Sequence, residues 1–211
     1  RMSLAAIYLV ENDQFTTWEN DHTPAQQELI TIAMWASEPI PFDPMEIAIH
    51  DAYGNFTKND ERTNFKLIHE YPLGGLPPMM THVFENSSGI RMIAAKGAPE
   101  AIMAVCTLSE DAAKKINSAL VEMAKKGYRV LGVASTIFDA NDFPATQQEF
   151  SFHFKGLVAF YDPPKKNFNK VLSDFYAAGI DVKIITGDNA LTTATIASQV
   201  GFRGAENSMD G

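Results

Sequence analysis

The sequence holds a single cysteine, Cys106, in 211 residues. One thiol excludes an intrachain disulfide framework and any CxxC redox or zinc motif, and it fits a reducing compartment. Cationic residues are also in short supply: 17 Lys and Arg against 26 Asp and Glu leave a formal net charge of −9. Without a basic stripe to neutralise a phosphate backbone, nucleic acid is excluded as a partner. No apolar run is long enough to span a bilayer as a helix, and no charged-then-apolar N-terminal signal occurs. The expectation is a soluble, cytosolic stretch of chain. The GxGxxG fingerprint, the P-loop lysine and the GxSxG nucleophile elbow are all missing. The five histidines, His22, His50, His69, His82 and His153, show no metal-ligand spacing. Repeats and low-complexity tracts are absent. What is present is a core: 45% of residues are hydrophobic and 20% charged, in a chain long enough for one large or two small domains.

Local patterns divide the chain. RMSLAAIYLVEN opens as a strand already under way and GFRGAENSMDG closes in a Gly-rich loop, so both ends read as cuts in a longer protein. Thr23, Pro24 and Gln26 set up a capping box for a helix running through LITIAMWAS. Asp43, Pro44 and Glu46 start a second helix, which Gly54 is expected to close. Strand-like runs follow at FKLIHEY, MTHVFEN and IRMIAAK, the last two joined by a hairpin turn at Asn86-Ser87-Ser88-Gly89. The same residues match a glycosylation sequon, which a cytosolic hairpin turn makes irrelevant. A short helix is expected after Gly97-Ala98-Pro99-Glu100, a longer one from Ser109 to Gly127, and then the strand YRVLGVASTIF. Residues 139–150 are the best candidate for a long surface loop.

After that loop the rhythm changes. Strand KGLVAFY, helix KNFNKVLSDFYAAG, strand VKIITG and helix LTTATIASQVG form a βαβα series, the signature of a parallel sheet. The expected fold class is α/β overall. Residues 1–153 make an α+β domain with an antiparallel sheet and flanking helices, and residues 154–211 a partial Rossmann-like βαβα segment.

Three short stretches are suited to chemistry. Thr186-Gly187-Asp188 lies at the carboxyl end of an expected parallel strand and at the start of a helix, where free N–H groups and the helix dipole favour an anion. A helix cap at Asp188 or Asn189 with a glycine turn accounts for the same residues. Asp162-Pro163-Pro164-Lys165 ends the preceding strand, so both turns would open on one edge of the sheet. Lys96 precedes the Gly97 turn, where its stem would be packed while its ammonium meets a phosphate or a purine edge; the alternative is a solvated lysine beside a tight turn. Arg129 offers a second cation or is a surface arginine. Glu46 either accepts from an adenine amino group or completes a capping box. Tyr71 either stacks on a base or is a core aromatic.

Taken together and in order, FDPMEIAI, KGAPEAIM, GYRVLGVA, GLVAFYDPPKKN and IITGDNALTTATIASQVG resemble the cytoplasmic catalytic segment of P-type cation-transporting ATPases, in particular the branch of calcium pumps and sodium, potassium pumps. The resemblance, which takes in RMSLAAIY as well, spans nearly the whole chain. It implies a nucleotide-binding domain joined to part of a haloacid-dehalogenase-like phosphorylation domain. Glu46, Lys96, Gly97 and Arg129 would line the ATP pocket, Tyr71 would stand where the family usually stacks a phenylalanine on adenine, and Asp162 would contact nucleotide at the domain junction. Thr186, Gly187 and Asp188 would surround the transferred phosphoryl group. ATP, with Mg²⁺ held mostly by residues outside this chain, is the implied cofactor set. The implied partners are the remaining phosphorylation, actuator and transmembrane domains of a membrane-embedded parent, with this segment on its cytoplasmic side.

Two departures stand out. Between Tyr71 and Met80, where the family commonly has basic residues, this chain has PLGGLPPMM, and DPPK replaces the commoner DPPR. The family's phosphorylated aspartate, in an Asp-Lys-Thr-Gly-Thr motif expected just before Arg1, is not in these residues. The expected function is an ATP-binding fragment of an ion pump that binds without turnover, calcium being the first guess for the ion. Two rivals remain: a haloacid-dehalogenase-like phosphatase with a cap domain, which needs an Asp-x-Asp loop not found here, and a non-catalytic binding module.

Overall fold

A proline just inside a side-chain cap sets the start of the first two helices. Thr23 and Gln26 exchange the two hydrogen bonds of a capping box at the start of α1 (Pro24–Trp35). Asp43 Oδ1 accepts from the N–H groups of Met45 and Glu46 at the start of α2 (Pro44–Phe56). Gly54 does not close α2, which runs two residues further. The computed structural model describes residues 1–211 apart from Asn20, Asn59, Asn141, Asp188, Glu206 and residues 208–211.

The strands are β1 (Ser3–Leu9), β2 (Gln14–Thr17), β3 (Phe65–Gly74), β4 (Met79–Asn86), β5 (Arg91–Gly97), β6 (Arg129–Thr136) and β7 (His153–Tyr161). They form one seven-stranded sheet in the order β2-β1-β7-β6-β5-β4-β3, and every adjacent pair is antiparallel. The β4–β5 hairpin turns where expected: Asn86 Oδ1 accepts from the N–H groups of Ser88 and Ile90, and Gly89 takes the left-handed φ of 79° that an L side chain resists. Between β5 and β6 lie α3 (Pro99–Ala104) and α4 (Glu110–Lys125), the latter capped by Ser109.

Side chains alternate across the sheet, so each face carries its own core. One face packs Ile7, Phe84, Ala94, Val133, Val158 and Phe160 under α1 and α2, with Trp35 edge-on to Phe65 and Phe84. The other face packs Tyr71, Val83, Ile93, Ala134 and Leu157 against Ile102 of α3 and Ile116 and Met123 of α4. The 139–150 stretch is less of a surface loop than its polarity suggests. Gln147 and Phe150 are buried, and the Gln147 amide donates to the Met79 carbonyl while its oxygen accepts from Thr81.

The expected parallel βαβα segment is not formed among the described residues. β7 lies between β1 and β6 with both edges occupied, so no ladder position remains beside it for VKIITG. A strand-like sequence needs a neighbour to satisfy its N–H and C=O groups, and residues 182–187 take no strand conformation. Ile185 is 99% exposed. The two helices of the segment do form, as α5 (Phe168–Ala177) and α6 (Ala190–Gln199). The sequence-based boundary at residue 153 falls at the first residue of β7, a strand that shares its ladder with β1 and β6.

Candidate functional site

The topology brings most of the expected residues to one end of the sheet. β5 ends at Lys96–Gly97, antiparallel β6 begins there with Arg129, and β7 ends one residue before Asp162. Glu46 reaches the same end from the first turn of α2. Asp43 caps that helix alone, so Glu46 is not spent on a capping box. Lys96 and Glu46 are 4% and 5% exposed. The Lys96 ammonium donates to Glu46 Oε1 at 2.6 Å and to the Ala36 carbonyl at 2.7 Å, and lies 2.9 Å from Met80 Sδ. Glu46 Oε1 also accepts from the Glu38 N–H at 3.2 Å. Glu46 Oε2 is buried and has no hydrogen-bond partner. Burial pulls the Lys96 ammonium below the ordinary lysine range, and the Glu46 carboxylate opposes that pull.

Gly97 has a structural reason to be glycine. A Cβ there would stand 2.5 Å from the Met79 Cα and from the Pro78 carbonyl oxygen. The 78–79 backbone thus fills the space that a side chain at this position would need. Arg129 is exposed and shares the Lys96 face: it is paired with Phe160, and Lys96 with Val133, both of the core under α1 and α2. Arg129 and Val133 are four positions apart along β6, about 13 Å of extended chain. Asp162 is exposed at the end of β7.

Tyr71 is brought to this end but not to this face. It is 8% exposed in the opposite core, its hydroxyl donates to the Pro144 carbonyl, and His69 and Phe150 pack edge-on to its ring. Thr186 and Gly187 are exposed, while Asp188 lies outside the described residues. Asn189 caps α6, its Oδ1 accepting from the N–H groups of Leu191 and Thr192, and the Thr192 hydroxyl donates to the Tyr128 carbonyl at 3.2 Å, tying α6 to the entry of β6. Burial pushes the Cys106 thiol up to about 12, which disfavours the thiolate there. A surface cavity of about 590 Å³ is lined by Trp18, His22 and Phe56 among others, and by none of the expected residues.

Sequence reasoning gave no role to Met80 or Glu38 and saw no metal-ligand spacing at His82. A usable signal existed: the Asn86–Gly89 turn fixes the hairpin register, which sets Met80 opposite Lys96 and His82 opposite Ala94. His82 is held below the ordinary histidine range by its burial and, secondarily, by the Lys96 ammonium.

An antiparallel sheet with helices on both faces and a buried lysine–glutamate pair at its end is the setting in which the comparisons with known proteins fall. The family model for "P-type ATPase, cytoplasmic domain N" matches residues 42–167. The chain belongs to the P-type cation-transporting ATPase family. It is 32% identical over 172 residues, 76% of its length, to a sodium/potassium exporting P-type ATPase of Schizosaccharomyces pombe. It is 28% identical over 203 residues, 86% of its length, to a calcium-transporting ATPase of Bacillus subtilis. A magnesium-transporting P-type ATPase of Salmonella typhimurium is 29% identical over 146 residues, 64% of the chain. These matches span 17%, 23% and 16% of the three relatives. No helix among the described residues is long and apolar enough to cross a membrane.

Proposed function

We propose that this chain is the ATP-binding portion of an ATP-driven cation pump. In the complete protein the γ-phosphoryl group would pass to an aspartate not among these 211 residues. The observation that carries the reading is the Lys96–Glu46 pair with one carboxylate oxygen, Glu46 Oε2, buried and without a donor. A buried charged acceptor left unmade is expensive, and a ligand N–H is the partner that relieves it. An adenine amino group fits that role, with Lys96 holding the carboxylate in place. Arg129 and Asp162, exposed at the same end of the sheet, would meet the rest of the nucleotide. Base stacking by Tyr71 would require its ring to leave the opposite core, so the base is assigned to the Glu46 side.

The segment beyond β7 would form part of a phosphorylation domain, with Thr186, Gly187 and Asp188 beside the transferred group. Catalysis of that transfer rests on positioning and charge stabilisation. Mg²⁺ is proposed to be held mostly by residues outside this chain. Among the described residues, the acidic grouping with ligand spacing contains an imidazole, whereas Mg²⁺ takes oxygen ligands and would enter with the ATP phosphates. The cation transported belongs to membrane helices, and calcium remains the proposal on overall similarity.

The test is a titration of the chain with ATP, GTP and tripolyphosphate, followed by backbone NMR. Adenine binding at about millimolar affinity needs only about 4 kcal/mol. ATP should shift the amides of residues 36–38, Glu46 and Lys96 more than the other two ligands do. The isosteric Glu46→Gln substitution should remove the adenine preference. A non-catalytic anion-binding module would respond to all three ligands alike, and that result would sink the reading.

A further inference from the structure

Beside the Lys96–Glu46 pair stands a second buried group, to which the proposed nucleotide site assigns no role. His82, in the middle of β4, is 0% exposed. Its Nδ1 lies 3.1 Å from the Ser37 carbonyl oxygen. An acceptor at that distance puts the ring proton on Nδ1 and leaves Nε2 as a lone pair. That nitrogen is enclosed and has no hydrogen-bond partner. It faces two carboxylates: Glu38 Oε1 is 4.0 Å away, and Glu70 is directly opposite His82 on β3. Ligand atoms of all three side chains lie within 4.8 Å of one another. An imidazole lone pair and two carboxylates are all acceptors, so a cation is the partner that suits all three at once.

We propose that Glu38, Glu70 and His82 form a binding site for a first-row divalent transition metal of the Zn²⁺ type. One imidazole nitrogen with two carboxylates is a borderline donor set, suited to such ions and unlike the all-oxygen sets of Ca²⁺ and Mg²⁺. The outer contact is also that of a metal-bound histidine, whose second ring N–H commonly donates to a backbone carbonyl. Glu70 is exposed and Glu38 half-buried, which gives the ion a way in and leaves a fourth position open towards solvent. Zinc bonds of about 2.0–2.1 Å place ligand atoms about 3.3 Å apart, so the site closes by an inward move of about 1 Å, within reach of two glutamate rotamers. Ser37 and Glu38, which carry the site, adjoin Ala36, whose carbonyl holds Lys96. The site itself stands independently of nucleotide binding.

The test uses the full chain and the metal alone. Calorimetric titration with Zn²⁺ should show one saturable equivalent, and Co²⁺ in its place should give visible d–d absorption. Glu70→Gln and Glu38→Gln each remove a ligand from a partly or fully solvated position. Each should weaken binding at least tenfold, the smallest loss of about 10–100-fold expected even for an outer-sphere partner. Substoichiometric Zn²⁺ should shift the His82 ring nitrogens before those of His22 or His69. Absence of a saturable equivalent overturns the proposal. So does binding unchanged in both glutamate variants, since the ion would then sit on other histidines. Folding failure of a His82 variant leaves both glutamate variants to decide. ATP titration without added metal separates this result from the nucleotide reading.

Discussion

Lys96 serves three acceptors or near neighbours at once, and its removal exposes what the pair costs. Lys96→Met should leave the Glu46 carboxylate buried without its cation, a change worth about 3–5 kcal/mol of stability. Adding Glu46→Gln should recover most of that loss, as chemical denaturation of the double variant would show; equal stability of wild type and Lys96→Met would contradict the pairing. His50, in α2, carries a pH signature. Its Nδ1 lies 3.4 Å from Arg62 Nη1, a donor, and its Nε2 is buried without a partner. Burial first and Arg62 second hold it below the ordinary histidine range. Between that lowered value and about 6.5 the unfolded chain binds more protons than the folded one, so stability rises with pH and is lost on acidification through that window. The denaturation midpoint should fall as the pH drops below about 6.5, and His50→Gln should flatten the slope in part, because His22 and His82 are lowered as well. An unchanged slope would contradict it. At this scale Lys96 and Glu46 were legible as a pair of candidates, though not as partners of each other. Tyr71 was assigned to the base by resemblance, with a core aromatic as the alternative; it lies in the core on the opposite face, on a strand with two register irregularities, at Leu67/His69 and Tyr71/Gly74. Each such slip changes which face a side chain meets, and sequence alternation does not reveal it.

Elements were legible where a side chain enforces them locally. The Thr23 and Asp43 caps, the Ser109 cap and the Asn86–Gly89 turn each act within a few residues. Gly127 ends α4 with a φ of 74°, as its position after the last apolar turn implies. What failed was VKIITG, whose fate depends on an available edge rather than on its own composition. The sheet's edges are β2 and β3, and β7 has two neighbours already. Hydrogen exchange should therefore be slowest at residues 157–160, held on both sides, and fast at 182–187. Comparable protection of the two stretches would mean that VKIITG has found a ladder partner. Gly97→Ala tests the other tight element contact. Its Cβ would meet the 78–79 backbone, and overpacking of this kind costs about 1–3 kcal/mol; a thermal midpoint equal to wild type would contradict that close approach.

The whole molecule is a sheet with a core on each face and a polar end. The family match over residues 42–167 covers α2 to β7 and the turn beyond it, so it includes Glu46, Lys96, Arg129 and Asp162 but stops before Thr186. That division follows the physics. The antiparallel sheet is built entirely from β1 to β7, while the described residues after Tyr161 contribute helices and an apolar stretch but no strand. The family was legible because KGAPE, DPPK and TGDN occur in order. The Glu38–Glu70–His82 grouping was not, because its members come from three elements and meet only through the β3–β4 register and the turn after α1. The most direct test of the central reading is an ATP titration of the chain monitored by amide NMR, carried to several times about 1 mM. Saturable shifts centred on residues 36–38, Glu46 and Lys96, larger for ATP than for GTP and lost in Glu46→Gln, are the expected result. Shifts confined to other surfaces, or none over that range, would contradict it.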